Sequence, residues 1–213
     1  MIPILYEDHS VFVCRKPPGV FSQTGPGPNL PELLERQTGG LVYPVHRLDR
    51  ETGGVMVYAR TQAAAAKLSE AVRQGRLRKE YVCLVRGVPA AGEGVYEDLL
   101  LHDKARNKSF VVNRMRGGVR EARLSYRVLA SEDGVSLVRV RLHTGRTHQV
   151  RVQFASRGTP LLGDGKYGGG SGALALWSCL LAFPHPKTGK ELLFQDPPEG
   201  GPWERFQPYL HTD

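Results

Sequence analysis

The segment His46-Arg47-Leu48-Asp49-Arg50-Glu51-Thr52-Gly53-Gly54 runs directly into an apolar stretch, Val55-Met56-Val57-Tyr58-Ala59. It places the carboxylate of Asp49 among cations, immediately ahead of a Thr-Gly-Gly turn. A carboxylate in such a place can serve as a covalent nucleophile, and cations around it suit a polyanionic substrate. Arg47 and Asp49 stand two apart, so their side chains point the same way if the stretch is extended. Far along the chain lies a second unusual segment, Leu142-His143-Thr144-Gly145-Arg146-Thr147-His148-Gln149-Val150-Arg151.

Around these segments the pattern is one of many strands and few helices. Ile4-Leu5-Tyr6 and Val11-Phe12-Val13-Cys14 read as short strands, closed by the turn Lys16-Pro17-Pro18-Gly19. A helix is expected to begin at Asn29, with Pro31 in its first turn and Leu33 and Leu34 facing inward. Another is expected from the N-cap Thr61 through Leu68, Ala71 and Val72, ending at Gly75, which accepts a left-handed conformation. Residues 81–85 and 135–142 read as strands. In the latter, Val138, Val140 and Leu142 face one side and Arg139 and Arg141 the other. Residues 147–156 predict a helix stopped by Gly158. The fold expected is therefore α+β with a mixed or antiparallel sheet, one domain over residues 1–213. Gly163-Asp164-Gly165-Lys166-Tyr167-Gly168 has the letters of a dinucleotide fingerprint, but the Gly-Gly-Ser-Gly that follows cannot open the helix such a site needs.

Composition narrows the function classes. No apolar run approaches the length of a membrane span, and the acidic start, Tyr6-Glu7-Asp8, is not that of a secretory signal. Cys14, Cys83 and Cys179 are odd in number and lack a CxxC, so neither a disulfide framework nor a thiolate metal site is implied, and a reducing cytoplasm is expected. Net charge is +8. Residues 104–127 carry eight Lys and Arg against Glu121 alone, and residues 139–157 carry five Arg and no acid. Clusters of this kind favour a phosphate-rich partner. An anionic membrane would call for a basic amphipathic helix, and residues 104–127 show no helical stripe. RNA or DNA is the expected partner, with no membrane association and a monomer as the default state.

Four segments together resemble the RluA family of pseudouridine synthases. Residues 46–54 are similar to its HRLDxxTSG, and Lys79-Glu80-Tyr81 to its KxY strand. Residues 142–151 are similar to LxTGRTHQIR, and Pro160-Leu161-Leu162-Gly163-Asp164-Gly165-Lys166-Tyr167-Gly168 to PILGDxxYG. His46 distinguishes the first motif from the Gly-Arg-Leu-Asp of the RsuA family. The resemblance runs from Tyr6 to Pro198. It leaves no room ahead of Tyr6 for the small S4 RNA-binding domain of many relatives, so a stand-alone catalytic domain is expected.

The resemblance implies an RNA pseudouridine synthase acting on ribosomal or transfer RNA, without cofactor or metal. It implies that Asp49 is the catalytic carboxylate, Tyr81 the residue stacking on uracil, and Arg146 the guanidinium paired with Asp49. A neighbouring guanidinium favours the ionised carboxylate that such chemistry needs. A stacked uridine hides its reacting atoms, so the base must be turned out. The resemblance gives Arg47 the place vacated by that base, His46 an orienting part beside it, and Leu142 the floor under the uracil. Arg50, Lys166, Arg157 and the 104–127 stretch are expected to hold phosphates. Two other readings remain open: an inactive RNA-binding module of the same fold, and an N-glycosidic hydrolase. The second usually needs two carboxylates, and none is evident beside Asp49. The chain departs from the family pattern in three places. Gly53 stands where Ser is usual, residues 98–104 lack a Pro-Leu/Ile-x-Arg pattern, and Trp177-Ser178 replaces a His-Ala pair.

Overall fold

A computed structural model describes residues 1–210, which form two compact units. The first comprises Met1–Lys79 with Trp177–Pro198, and the second residues 80–176 with 199–210. Each is built on sheet with a few helices, the α+β class expected.

In the first unit, β1 (Ile4–Glu7) and β2 (Val11–Lys16) form an antiparallel pair, and β2 lies antiparallel to β4 (Gly53–Ala59). The far edge of β4 is shared. β10 (Leu176–Pro184) joins it in parallel at Gly53 and Gly54, and the two-residue β3 (Tyr43–Pro44) joins it at Tyr58 and Ala59. β11 (Glu191–Gln195) completes the unit against β10. Every residue of β4 is buried, as expected for an apolar strand covered on both faces. One covering layer is α2 (Gln62–Arg73), which sets Ala64 and Leu68 against Val11, Val55, Val57 and Phe183. Its caps are those read from the sequence: Thr61 Oγ1 accepts from the Ala64 amide at 3.1 Å, and Gly75 follows at φ +68°. α1 (Leu30–Thr38) begins at Asn29, whose side chain accepts from Glu32 N, and it buries Leu34 more fully than Leu33.

The second unit is an antiparallel sheet in the order β5 (Arg78–Arg86), β9 (Val135–Leu142), β8 (Val119–Glu132), β6 (Glu93–Asp103), β7 (Lys108–Val112). β7 and β8, with the turns that flank them, account for the basic stretch, which is extended and not helical. The signal of β8 lay in Ala122, Leu124 and Tyr126, buried in alternation with exposed Arg123 and Arg127. α3 (Gln149–Ala155) covers one face, where Phe154 packs edge-on against Tyr96 and Tyr126 at 5.1 and 5.6 Å. This helix is shorter than the 147–156 expected. His148 sits at φ +54°, outside helical space, so helical geometry starts only at Gln149. A 3₁₀ turn (Gly201–Phe206) and a single turn, α4 (Gln207–Leu210), end the described chain. No described helix is long and apolar enough to cross a membrane.

Candidate active site

In the first unit, the 46–52 segment is held at alternate residues. His46 Nε2 accepts from the Val57 amide at 3.1 Å, and Ser178 Oγ donates to the Val55 carbonyl at 3.1 Å. These two side chains satisfy the backbone of β4 in the gap between β10 and β3. Leu48 is bracketed by Ser22, whose hydroxyl accepts from its amide (3.1 Å) and donates to its carbonyl (2.8 Å). The Arg50 carbonyl accepts from Gly19 N and from Lys16 Nζ, both at 2.9 Å. His46 and Leu48 are buried, whereas Arg47 is exposed and Asp49 half-buried. Alternation therefore turns Arg47 and Asp49 away from the packed side of the segment. The turn after Asp49 is closed by Thr52 N donating to its carbonyl at 3.1 Å.

Lys16 and Ser22 were not singled out from the sequence, although Lys16 opens the Lys-Pro-Pro-Gly turn. Lys16 is fully buried, and its ammonium also donates to the carbonyls of Pro17 and Val20, at 2.9 and 2.6 Å. Burial pulls its pKa down to about 8, while the carboxylates of Glu51 and Asp49 work in the opposite direction. Lys16→Met is expected to remove the ammonium from the Pro17 and Val20 carbonyls, leave the Arg50 carbonyl with Gly19 N alone, and cost about 2–4 kcal/mol in urea unfolding. A loss below about 1 kcal/mol would show that water replaces the ammonium without penalty.

His46 is enclosed at 7% exposure, with burial and then Lys79 pushing its pKa down to about 3. A neutral ring held on a backbone amide orients its segment. The sign of its linkage follows. The native ring stays neutral while the unfolded one takes a proton near pH 6.5, so stability is full above 6.5 and falls as pH drops toward 3. Unfolding free energies measured between pH 7 and pH 4 should decline less for His46→Gln, whose amide oxygen can still accept from Val57. Parallel curves would remove His46 from the account.

Arg50, expected on phosphate, donates through Nε to the Gly19 carbonyl at 3.0 Å and lies over Phe21 at 5.3 Å, with its guanidinium exposed.

In the second unit, Tyr81 and Val140 are cross-strand partners, so Tyr81 shares a face with Val140 and with Leu142 two residues on. Tyr81 is 5% exposed and Leu142 half-buried. Beyond Leu142, the side chain of Gln149 organises the turn that carries Arg146. Its Oε1 accepts from Thr144 Oγ1 (2.8 Å) and Arg146 N (3.0 Å), and its Nε2 donates to the Arg123 carbonyl (3.1 Å). The Arg146 side chain is exposed and donates through Nε to the Glu121 carbonyl at 2.8 Å. Gln149 and Thr144 are further positioning residues that the motif contained but sequence reasoning did not single out.

The glycine-rich loop is bolted to α3. Arg151 donates to both oxygens of Asp164 at 2.7 Å, and Asp164 Oδ1 also accepts from the amides of Lys166 and Tyr167. No helix follows this loop, as the Gly-Gly-Ser-Gly run required. Lys166 Nζ donates to the Asn107 carbonyl at 2.8 Å.

The cationic clusters thin out once the pairs are counted. Arg139 is held by Glu80, Arg151 by Asp164, and Arg157 by Asp98 while stacked over Tyr96 at 3.9 Å. Arg157, expected on phosphate, is thus engaged within the unit while remaining exposed. Arg123 pairs with Glu97 and Arg106 with Asp103. Lys104, Arg114, Arg116, Arg127, Arg141 and Arg146 remain exposed.

Comparison with known proteins bears on this arrangement. Residues 10–156 match the family model described as RNA pseudouridylate synthase. An uncharacterised RNA pseudouridine synthase of Aquifex aeolicus is 34% identical, over 91% of this chain and 68% of its own length. The ribosomal large subunit pseudouridine synthase D of Vibrio parahaemolyticus is 33% identical, over 92% of this chain and 67% of its own. Among solved structures, human RNA pseudouridylate synthase domain containing 4 superposes with a TM-score of 0.78 at 26% identity. That match covers 98% of this chain and 92% of the human one.

Proposed function

Because this chain belongs to the RluA-type RNA pseudouridylate synthase family and is an RNA pseudouridine synthase, we propose that it isomerises particular uridines of ribosomal or transfer RNA with Asp49 as its reacting carboxylate. The observation that carries this reading is the clamped 46–52 segment. His46, Leu48 and the Arg50 carbonyl are fixed inward, which leaves Arg47 and Asp49 on the outward side of a rigid strip. Rigid presentation of a carboxylate is what a reaction on one bound nucleotide needs.

The isomerisation breaks the C1′–N1 bond, turns the uracil, and forms a C5–C1′ bond on the same nucleotide. The proton displaced from C5 leaves to water while N1, freed from C1′, takes one up, so no group is imported. Asp49 attacks or deprotonates the nucleotide and is released unchanged. In this reading Arg146 is the guanidinium that partners Asp49, and Tyr81, seated on one face with Leu142, receives the uracil. Arg47 takes the stack position left by the extruded base, a role suited to a planar guanidinium. Arg50, Lys166 and the exposed arginines of residues 104–127 meet phosphates. Both units then belong to one catalytic domain, which works as a monomer in the cytoplasm.

The test is release of tritium from RNA labelled at uracil C5, run separately on ribosomal and transfer RNA. Release from either pool that stops in Asp49→Ala is the expected result. Release that persists in the variant overturns the role of Asp49, and release from neither pool overturns the substrate class.

A further inference from the structure

Gly53 and Trp177, two of the places where the chain departs from the family pattern, occupy one volume. β10 meets β4 at the pairs Trp177–Gly53 and Ser178–Gly54. A Cβ at position 53 would collide with Cζ3 of the indole and lie 2.6 Å from Cε3 and 3.1 Å from Cη2. The six-membered ring of Trp177 therefore rests where a residue-53 side chain would begin.

Backbone conformation does not explain this glycine. Gly53 is absent from the left-handed region, so its φ suits an ordinary residue. Gly54 differs: at φ +113°, its Cβ would strike the Ser178 backbone, 2.7 Å from the nitrogen. Glycine is obligatory at 54 for steric reasons of the main chain, whereas at 53 the three nearest atoms a Cβ would meet all belong to the indole. The indole is itself fixed. Its Nε1 donates to the Asp196 carbonyl at 2.7 Å, and the Asp196 carboxylate is held by Arg15 Nε at 2.8 and 3.0 Å and by Nη2. Gly53 directly follows Thr52, whose amide closes the Asp49 turn.

We propose that Trp177 is a positioning residue for Asp49, filling the place of the missing residue-53 side chain and setting the path of the 52–54 backbone. The proposal rests on the role given to Asp49 above. It makes positions 53 and 177 a coupled pair: a side chain at 53 is harmful while Trp177 is present and harmless or helpful once the indole is gone.

The experiment compares wild type, Gly53→Ser, Trp177→His and the double variant, with C5-tritiated total cellular RNA as substrate. Gly53→Ser is expected to lower kcat roughly 100-fold, as for a misplaced reacting group, with KM unchanged. In the Trp177→His background the same change should leave kcat level or raise it. An equal loss in both backgrounds overturns the proposal, as does a Trp177→His protein with wild-type kcat. If Gly53→Ser does not fold, Trp177→His with and without Gly53→Ser decides the matter, because a fall in kcat there is the overturning result.

A second readout does not depend on turnover. The chain has two tryptophans, so a Trp203→Phe background isolates the emission of Trp177. Gly53→Ser should shift that emission to longer wavelength as the indole is expelled, and unchanged emission overturns the shared volume. Turnover that survives in Asp49→Ala would instead defeat the role of Asp49, with the emission result standing apart.

Discussion

Asp49→Asn is expected to stop turnover by at least about 10⁴-fold while leaving RNA affinity and its salt dependence close to those of wild type. The amide is nearly isosteric with the carboxylate but is neither a nucleophile nor a base, so the substitution removes the reacting group with little change of shape. The surrounding clamp supports that separation. His46, Leu48, the Arg50 carbonyl and the Thr52 amide all help to hold the 46–52 strip, and the Asp49 carbonyl accepts from the last of these. The cations left exposed, Arg114, Arg116 and Arg127 among them, lie elsewhere in the chain. Single-turnover tritium release and binding titrations at two salt concentrations separate the two effects. Residual release within about tenfold of wild type would remove Asp49 from the chemistry.

Arg151→Met is expected to produce the largest loss of stability, about 3–5 kcal/mol, because it strands a buried carboxylate. Asp164 is 1% exposed and Arg151 7%, and their pairing is bidentate. The two amides on Asp164 Oδ1 survive the substitution but carry no formal charge. Adding Asp164→Asn to Arg151→Met should recover part of the loss, since the buried group is then neutral. Urea unfolding of both variants measures this. Arg151→Met within about 1 kcal/mol of wild type would mean that water reaches the carboxylate, contrary to its burial.

The two predictions differ in how far the sequence foreshadowed them. Asp49 was singled out from its motif, and legible in the same way were the start of α1, the caps of α2, the alternation of β9 and the failure of the glycine-rich loop to open a helix. These are local signals: a cap hydrogen bond spans three residues, and strand alternation needs only a few. Strand β8 carried the same signal in Ala122, Leu124 and Tyr126 but was masked by the arginines around them. Arg151 illustrates the opposite case. In the sequence it is one more cation in an acid-free stretch, and only folding makes it half of a buried pair.

The sequence by itself determined which chemical groups the enzyme has, which short elements carry them, and the family to which their order points. Tertiary structure alone decided which of them are committed to internal work. It placed Lys16 on the Arg50 carbonyl, Ser22 on Leu48, Gln149 under Arg146 and the indole of Trp177 on Gly53, and it paired Arg139, Arg151 and Arg157 with carboxylates. The physical reason is that most of these contacts join segments distant along the chain. Their hydrogen bonds and shared volumes depend on where strands cross, which no local periodicity records.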